Sequence, residues 1–415
     1  MRVLLVNGAG QRIGGIEIYL KHLMPALLRR GHQVSFLYQH AFVDGAETLA
    51  PPGTPSWCVE RSSPVSILEE VRRWQPDVVY VHERIDLALL GRILHEFPAV
   101  WFGHAYSGAC VSGSRCWSRP NFHPCDRDLG WGCLALYFPR RCGGRNPATM
   151  WKLFREHRAF ARLLARFDVR LTHSEYTRGL YLRQGLPPDS TRSIPFLVPG
   201  EPGARHRDPR EIAAGPLRLL FLGRFDPYKG VPLLLDALPD VARELARPVH
   251  LALAGDGPER ARWERHAADA RSSASKPGAV DVTFLGWVGG NARTAAISDA
   301  DLVIVPSVWP EPFGMTGIEA GRHGVPAVAF DVGGVRAWLV PGSNGELAPG
   351  SPPTSRGLGA AILRATKDPA HYARLCVGAR RCADGFTEDA HLDPLLAALG
   401  EARERRRRSG GRHAT

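Results

Sequence analysis

The sequence predicts an α/β protein built from two successive parallel-sheet domains. Three observations predict it. A strand, a glycine-rich loop and an amphipathic helix follow one another from residue 2, and the same alternation restarts at Leu217. Between the two sets, Ser193 to Pro216 is rich in Pro, Gly and Arg with little apolar periodicity, and reads as a linker. Strand–helix–strand units close by right-handed crossovers, which makes parallel sheets the economical arrangement.

In order along the chain, residues 2–7 read as an apolar strand and Gly8 to Gly15 as the glycine-rich loop. Ile16 to Arg30 is a helix with Ile16, Tyr19, Leu20, Leu23 and Leu27 near the 3.6-residue period, ended by Gly31. Gln33–Tyr38, Asp77–His82, Ala99–His104 and Val169–Ser174 read as further strands, and Ser174 is placed to cap the helix that follows. In the second set the strands are Leu217–Gly223, Val249–Gly255, Val282–Gly286, Leu302–Pro306 and Ala327–Phe330. The expected domains are 1–200, with a cysteine-rich insertion at about 105–145, and 201–385. A helix over 386–404 is expected to return to the first domain, ahead of a disordered basic tail over 405–415. Ligands of such sheets bind beyond the carboxyl ends of the strands, so the expected site is the cleft between the domains.

Composition narrows the function class. With 415 residues, 44% hydrophobic and 23% charged, the chain is long enough for two full cores and ordinary for a soluble globular protein. No apolar run reaches the roughly 18–20 residues that span a bilayer, and the first residues are too short for a signal-peptide core. A cytoplasmic protein is expected. The net charge of +12 points to an anionic partner, and most of it is arginine, with lysine only at 21, 152, 229, 276 and 367. The arginine-rich tail could touch an anionic membrane face, whereas the lack of aromatic residues between its charges argues against specific nucleic-acid recognition. A dinucleotide cofactor is disfavoured: Ile13 stands where a third glycine is needed, and the second strand ends in Tyr38-Gln39-His40 without an acid for a ribose hydroxyl.

The stretch with the most chemistry is Trp309-Pro310-Glu311-Pro312-Phe313-Gly314-Met315-Thr316-Gly317-Ile318-Glu319-Ala320. A strand runs into it, and a helix is expected from about Gly314, so unpaired backbone N–H groups would face an anion there. At about 1.5 Å rise per residue, Glu319 would stand roughly 7 Å beyond Gly314. Glu311 and Glu319 could then hold hydroxyls on either side of a diphosphate. Earlier in the same domain, Gly223-Arg224-Phe225-Asp226-Pro227-Tyr228-Lys229-Gly230 follows a strand and opens a helix. The Arg224 fork and the Lys229 point charge suit two phosphates. Each pair alone could be ordinary solvated charge. Glycine turns after the next two strands, at Gly255-Asp256-Gly257-Pro258 and Gly286-Trp287-Val288, give four strand ends with related loop chemistry.

These motifs resemble those of the retaining GT-B glycosyltransferases of family 4, the glycosyl transferases group 1. The resemblance covers most of the chain and is weakest over about 105–165 and beyond 400. It implies a GT-B fold, two Rossmann-like domains facing across a cleft, and a nucleotide-diphosphate sugar as donor. It further implies that Arg224 and Lys229 neutralise the leaving diphosphate, Glu319 holds the ribose and Glu311 the donor sugar. Backbone N–H groups of Phe313, Gly314, Met315 and Thr316 would contact phosphate and sugar, and the base would lie near Gly255, Trp287 and Val288. Gly14 and Gly15 would face the phosphates, and His104 matches the active-site histidine. Two features depart from the pattern: Ile194-Pro195-Phe196-Leu197-Val198-Pro199 replaces an Asn-Gly turn, and Arg336-Ala337 replaces an acid after Gly333-Gly334.

Cys110, Cys116, Cys125, Cys133 and Cys142 crowd the insertion, with His123 beside Cys125. Their spacings are too wide for a Cys-x2-Cys pair, which leaves a structural zinc, plain thiols and disulfides as alternatives. Asp126-Arg127-Asp128 resembles the metal-binding pair of the other glycosyltransferase fold but lies off any strand end, so no catalytic metal and no required cofactor are expected. The expectation is a retaining transferase moving a hexose from a UDP- or GDP-sugar to a carbohydrate, lipid-linked or small-molecule hydroxyl. The pathway would be polysaccharide, glycolipid or natural-product biosynthesis. Another GT-B enzyme (an epimerase or phosphorylase), or a non-catalytic nucleotide-sugar or nucleic-acid binder, is the rival reading.

Overall fold

A computed structural model describes residues 1–11, 14–42, 47–120, 122–198, 200, 203, 208, 212, 215–273 and 279–410. Ile13 and most of the arginine-rich stretch 201–214 lie outside the described residues. In chain order the strands are β1 (Arg2–Ala9), β2 (Gln33–His40), β3 (Ser56–Cys58), β4 (Val78–Val81), β5 (Ala99–Gly103), β6 (Cys116–Trp117), β7 (His123–Pro124), β8 (Val169–Thr172) and β9 (Thr191–Ser193). They continue as β10 (Leu217–Leu222), β11 (Val249–Ala254), β12 (Val280–Gly286), β13 (Leu302–Val305), β14 (Ala327–Phe330) and β15 (Gly345–Ala348). The helices are α1 (Gly15–Arg29), α2 (Pro64–Trp74), α3 (Leu87–Glu96), α4 (Trp131–Tyr137), α5 (Pro147–Leu164), α6 (Glu175–Arg183) and α7 (Val231–Leu245). After them come α8 (Arg260–Ser273), α9 (Gly290–Ser298), α10 (Thr316–Gly321), α11 (Ser355–Thr366), α12 (Pro369–Asp384) and α13 (Glu388–Gly410).

These elements form two units, Met1–Ser114 with Arg127–Pro199 and Thr387–Thr415, and Arg115–Asp126 with Gly200–Phe386. In the first, the strand order is β3-β2-β1-β4-β5-β8-β9 and every pairing is parallel. Val3–Val6 and Val78–Val81 are fully buried, because a parallel sheet covered on both faces needs continuous apolar runs rather than alternation. Helix α1 buries Tyr19, Leu20, Leu23, Met24 and Leu27. Ser174 caps α6, its hydroxyl accepting the N–H of Thr177 at 3.3 Å.

Helix α13 lies against β4, β5 and β8 and buries His391, Leu392, Leu395 and Leu399. It does not stop at 404. The helix runs through Gly410 because its arginines find fixed acceptors: Arg405 reaches Asp189 at 2.9 Å, and Arg406 donates to the carbonyls of Leu94 and Phe97 at 2.6 and 2.9 Å. Residues 405–410 are therefore helical rather than a disordered tail, and 411–415 lie outside the described residues. The predicted linker is also shorter at its start. Ile194, Phe196, Leu197 and Val198 are buried in the first unit, an apolar anchor that the surrounding prolines disguise.

The second unit has the order β12-β11-β10-β13-β14-β15, again parallel throughout, around a core of Leu219, Phe221, Leu234, Leu251, Trp263, Ile304 and Phe330. It also holds a piece of the cysteine-rich insertion. The antiparallel pair β6–β7 belongs to this unit, where Phe122 packs on the core and His123 Nε2 stands 3.5 Å from Ser351 Oγ. The insertion is thus split between the units rather than confined to the first.

Candidate active site

In each sheet the chain reverses its winding next to the first strand, between β1 and β4 and between β10 and β13. Loops leaving a parallel sheet at such a point diverge and leave room for a ligand. Two of the sequence-predicted residues of the second unit, Lys229 and Glu311, stand there. Gly230 begins α7 with φ +68°, and a Cβ on it would come within 1.8 Å of the Pro306 carbonyl oxygen. That contact holds the β10 and β13 loops together and puts Lys229 opposite Glu311.

Lys229 Nζ donates to Glu311 Oε1 at 2.5 Å, and Ser307 Oγ donates to the same oxygen at 2.7 Å. The ammonium also lies 5.4 Å from the centre of the Trp309 ring. Glu311 is buried, and its main chain is fixed from behind, the N–H of Gly334 donating to its carbonyl at 2.6 Å. Gly333 has φ +62°, and a Cβ there would stand 2.4 Å from that carbonyl oxygen. A side chain at Gly333 would therefore displace the carboxylate.

The loop does not enter its helix where the sequence predicts. Pro310, Pro312 and Gly314 (φ +87°) keep the backbone out of the helical region, so α10 starts at Thr316 and has six residues. Glu319 consequently lies in the first turn, not a turn and a half inside. Trp338 covers the loop: its indole N–H donates to the Phe313 carbonyl at 2.6 Å, and its ring fills the space where a Cβ on Gly317 would fall. The N–H groups of Gly314, Met315 and Thr316 have no acceptor among the described residues. Glu319 is held by Arg293 of α9, a residue that carries no sequence signal. Ser307 is likewise absent from the predicted set, although its place between the β13 end and Glu311 marks it.

Arg224 is not drawn in with Lys229. Its side chain is 70% exposed, with Nε 3.3 Å from Asp226. Gly255 (φ +145°) packs against the Gly223 carbonyl and donates its N–H to that of Gly286 at 2.7 Å, which ties the two glycine turns together. Trp287 beyond them is 72% exposed and Val288 half-buried. Arg336, the departure after Gly333-Gly334, is bound to Asp331 through two bonds of 2.8 and 2.6 Å.

The first unit carries a separate cavity at its own switch point, about 470 Å³, lined by Gly14, Gly15, Glu17, His40, Glu83, Arg84 and His157 among others. Glu17 accepts the N–H of Gly14 at 2.7 Å and the amide of Asn7 at 3.2 Å, which fixes the glycine pair at the α1 start. Burial, then the neighbouring Glu17, push the Glu83 carboxyl up from its ordinary value, while the Gly8 N–H pulls the other way. Burial, then Arg84, lower His157 to about 4. His104 follows β5 outside this cavity's lining, beside Tyr19 and His82.

The cysteines of the insertion are not brought together as a metal centre. Among the described residues no three His, Cys, Asp or Glu side chains converge on one point. Cys110 Sγ is 3.4 Å from Ser112 Oγ, Cys125 is tied through its N–H to the Arg115 carbonyl, and Cys133 and Cys142 contact the carbonyls of Asp128 and Leu136. All eight cysteines are thiols. No described helix is long and apolar enough to cross a membrane.

Residues 204–381 match the model described as glycosyl transferases group 1, and residues 13–199 match that of glycosyltransferase family 4. The phosphatidyl-myo-inositol mannosyltransferase of Mycobacterium leprae is 39% identical over 32% of this chain and 33% of its own length, so that match spans about a third of the relative. The glycogen synthase of Mycobacterium tuberculosis is 26% identical over 92% of this chain and 90% of its own. Among solved structures, Anabaena HepE in complex with UDP superposes with a TM-score of 0.65 at 18% identity, covering 96% and 98% of the two chains. Sucrose-phosphate synthase from Thermosynechococcus elongatus gives a TM-score of 0.65 at 20% identity over 99% of each. Two parallel-sheet units of this order are those of the GT-B fold, and the chain belongs to the group 1 glycosyl transferases of family 4.

Proposed function

We propose that this glycosyltransferase is a retaining enzyme that moves a hexose from a UDP- or GDP-sugar to a hydroxyl acceptor. The product would be a polysaccharide, glycolipid or natural product. The observation that carries the reading is the Lys229–Glu311–Ser307 cluster at the β10/β13 switch point, with the Arg293–Glu319 pair in the same unit. In the reaction the anomeric carbon gains positive charge and the departing diphosphate negative charge. Groups fixed on the diphosphate stabilise that change more than they stabilise the ground state.

On this reading Lys229 leaves Glu311 for the diphosphate, Glu311 takes donor sugar hydroxyls, and Glu319 takes the ribose. Arg224 swings in from solvent, and the N–H groups of Gly314 to Thr316 meet phosphate and sugar. The leaving phosphate can itself accept the acceptor's proton on the face it departs from, so no protein nucleophile is needed. His104 is assigned a role beside the donor sugar. No metal is required for donor chemistry, and transfer that survives EDTA is the expected result.

The donor is supported by relatives in kind only: HepE is solved with UDP and with UDP-glucose. A cytoplasmic enzyme with peripheral contact to an anionic membrane face fits the exposed Trp131 and Trp151 of α4 and α5, with Arg158 over the Trp131 ring at 5.1 Å. Salt-sensitive retention on anionic vesicles tests that contact, and salt-insensitive retention would remove it. The function itself is tested by incubating the full chain with a panel of UDP- and GDP-sugars. Hydrolysis or transfer with at least one donor is expected, and inertness towards all of them would reject the reading.

A further inference from the structure

The ring of His104 is enclosed by Phe102 and Tyr19, with centroids 4.5 and 5.1 Å away, and its Nε2 is 3.0 Å from Nδ1 of His82 at the end of β4. Burial lowers the pKa of both rings, His82 to about 3, so both are neutral near pH 7. Two neutral imidazoles at hydrogen-bond distance share one proton, and one must donate while the other accepts.

The far nitrogen of His82 decides which. His82 is buried, and its Nε2 is shut off from water without a partner among the described residues. The neighbouring hydroxyls are already engaged. His391 Nδ1 stands 2.7 Å from the Pro195 carbonyl and can only donate to it, so its Nε2 accepts from Tyr19 at 2.8 Å. Tyr19 in turn accepts from Tyr80 at 3.1 Å. A proton on His82 Nε2 would be a buried N–H without an acceptor, which is rarer than an acceptor short of a donor. The proton therefore sits on Nδ1 and is donated to His104 Nε2, and His104 carries its own on Nδ1.

We propose that His82 is a positioning residue that fixes His104 in the Nδ1–H tautomer. The ring then offers a donor rather than a base to a substrate hydroxyl. The catalytic half of this inference rests on the role given to His104 above; the tautomer does not.

Histidine nitrogen–proton correlation spectra of the full chain, with His104 assigned by its loss in His104→Gln, read the tautomer directly. Nδ1–H is expected, and Nε2–H or an even mixture would overturn the proposal. In a transfer assay, His82→Leu should lose about 10- to 100-fold in kcat with donor KM little changed, as for loss of a histidine's orienting partner. His82→Asn, whose amide can donate from nearly the same point, should keep the tautomer and recover most of the activity; an Asn variant as impaired as Leu would contradict it. Since the spectrum needs no turnover, a failure of the transferase reading and a failure of this one give different results.

Discussion

Glu311 stands in three relations at once: its carboxylate meets Lys229 and Ser307, its carbonyl accepts from Gly334, and Gly333 leaves it room. A buried carboxylate in that setting is held by its cation, and the cation by it. On the proposed function a bound donor replaces that ion pair, its diphosphate meeting Lys229 and its sugar hydroxyls Glu311. Lys229→Ala or Glu311→Ala should therefore reduce turnover about 10²–10³-fold, the loss that follows removal of one preorganised donor. Near-normal kcat in either purified, folded variant would count against the assignment. At this scale the sequence shows the residue types but not their pairing. Lys229 and Glu311 are 82 positions apart, and only the strand order brings them together. Arg293 was hidden for the same reason: it lies on a helix of weak pattern, and its partner Glu319 belongs to a different element.

Among the elements, strands were the easiest to read and helix ends the hardest. Continuous apolar runs in β4, β5 and β13 follow from burial on both faces, and that pattern is visible in one dimension. The start of α10 is not, since the proline and glycine backbone of the preceding loop and the Trp338 ring delay it. The sequence ends α13 at 404 because a run of arginines reads as a solvated tail until acceptors are found for it. Arg406 gives the corresponding test. Its guanidinium serves the carbonyls that end α3, and Arg406→Ala should destabilise the first unit by about 1–2 kcal/mol. Chemical denaturation of the two forms measures it; equal midpoints and slopes would mean that the contacts add nothing.

For the molecule as a whole, both sheets have the strand order that creates a switch point, and each point gathers polar groups the sequence had scattered. The first unit also stores a set of neutral histidines. His82, His157 and His391 are lowered to about 3, 4 and 4 by burial, below an ordinary histidine near 6.5. Well above pH 6.5 both folded and unfolded forms are neutral and these groups contribute no pH dependence. As pH falls below that value the unfolded chain takes up protons that the folded one refuses, so stability drops until the folded pKa values are reached. Each such histidine sets a slope of up to about 1.4 kcal/mol per pH unit in that window. Unfolding free energies at about pH 7 and about pH 5 should differ accordingly, with a smaller difference in His391→Phe; a flat profile would contradict the burial assigned to these rings.

If the proposed function holds, Lys229 at the β10/β13 switch point fixes a nucleotide diphosphate on the second unit. Calorimetric titration of the intact chain with UDP and GDP measures that binding. One of the two should bind at a single site, and Lys229→Ala should weaken that binding about tenfold or more, as loss of a charge-assisted hydrogen bond does. Binding of neither nucleotide, or equal affinity in the wild type and the variant, would contradict a diphosphate site at Lys229.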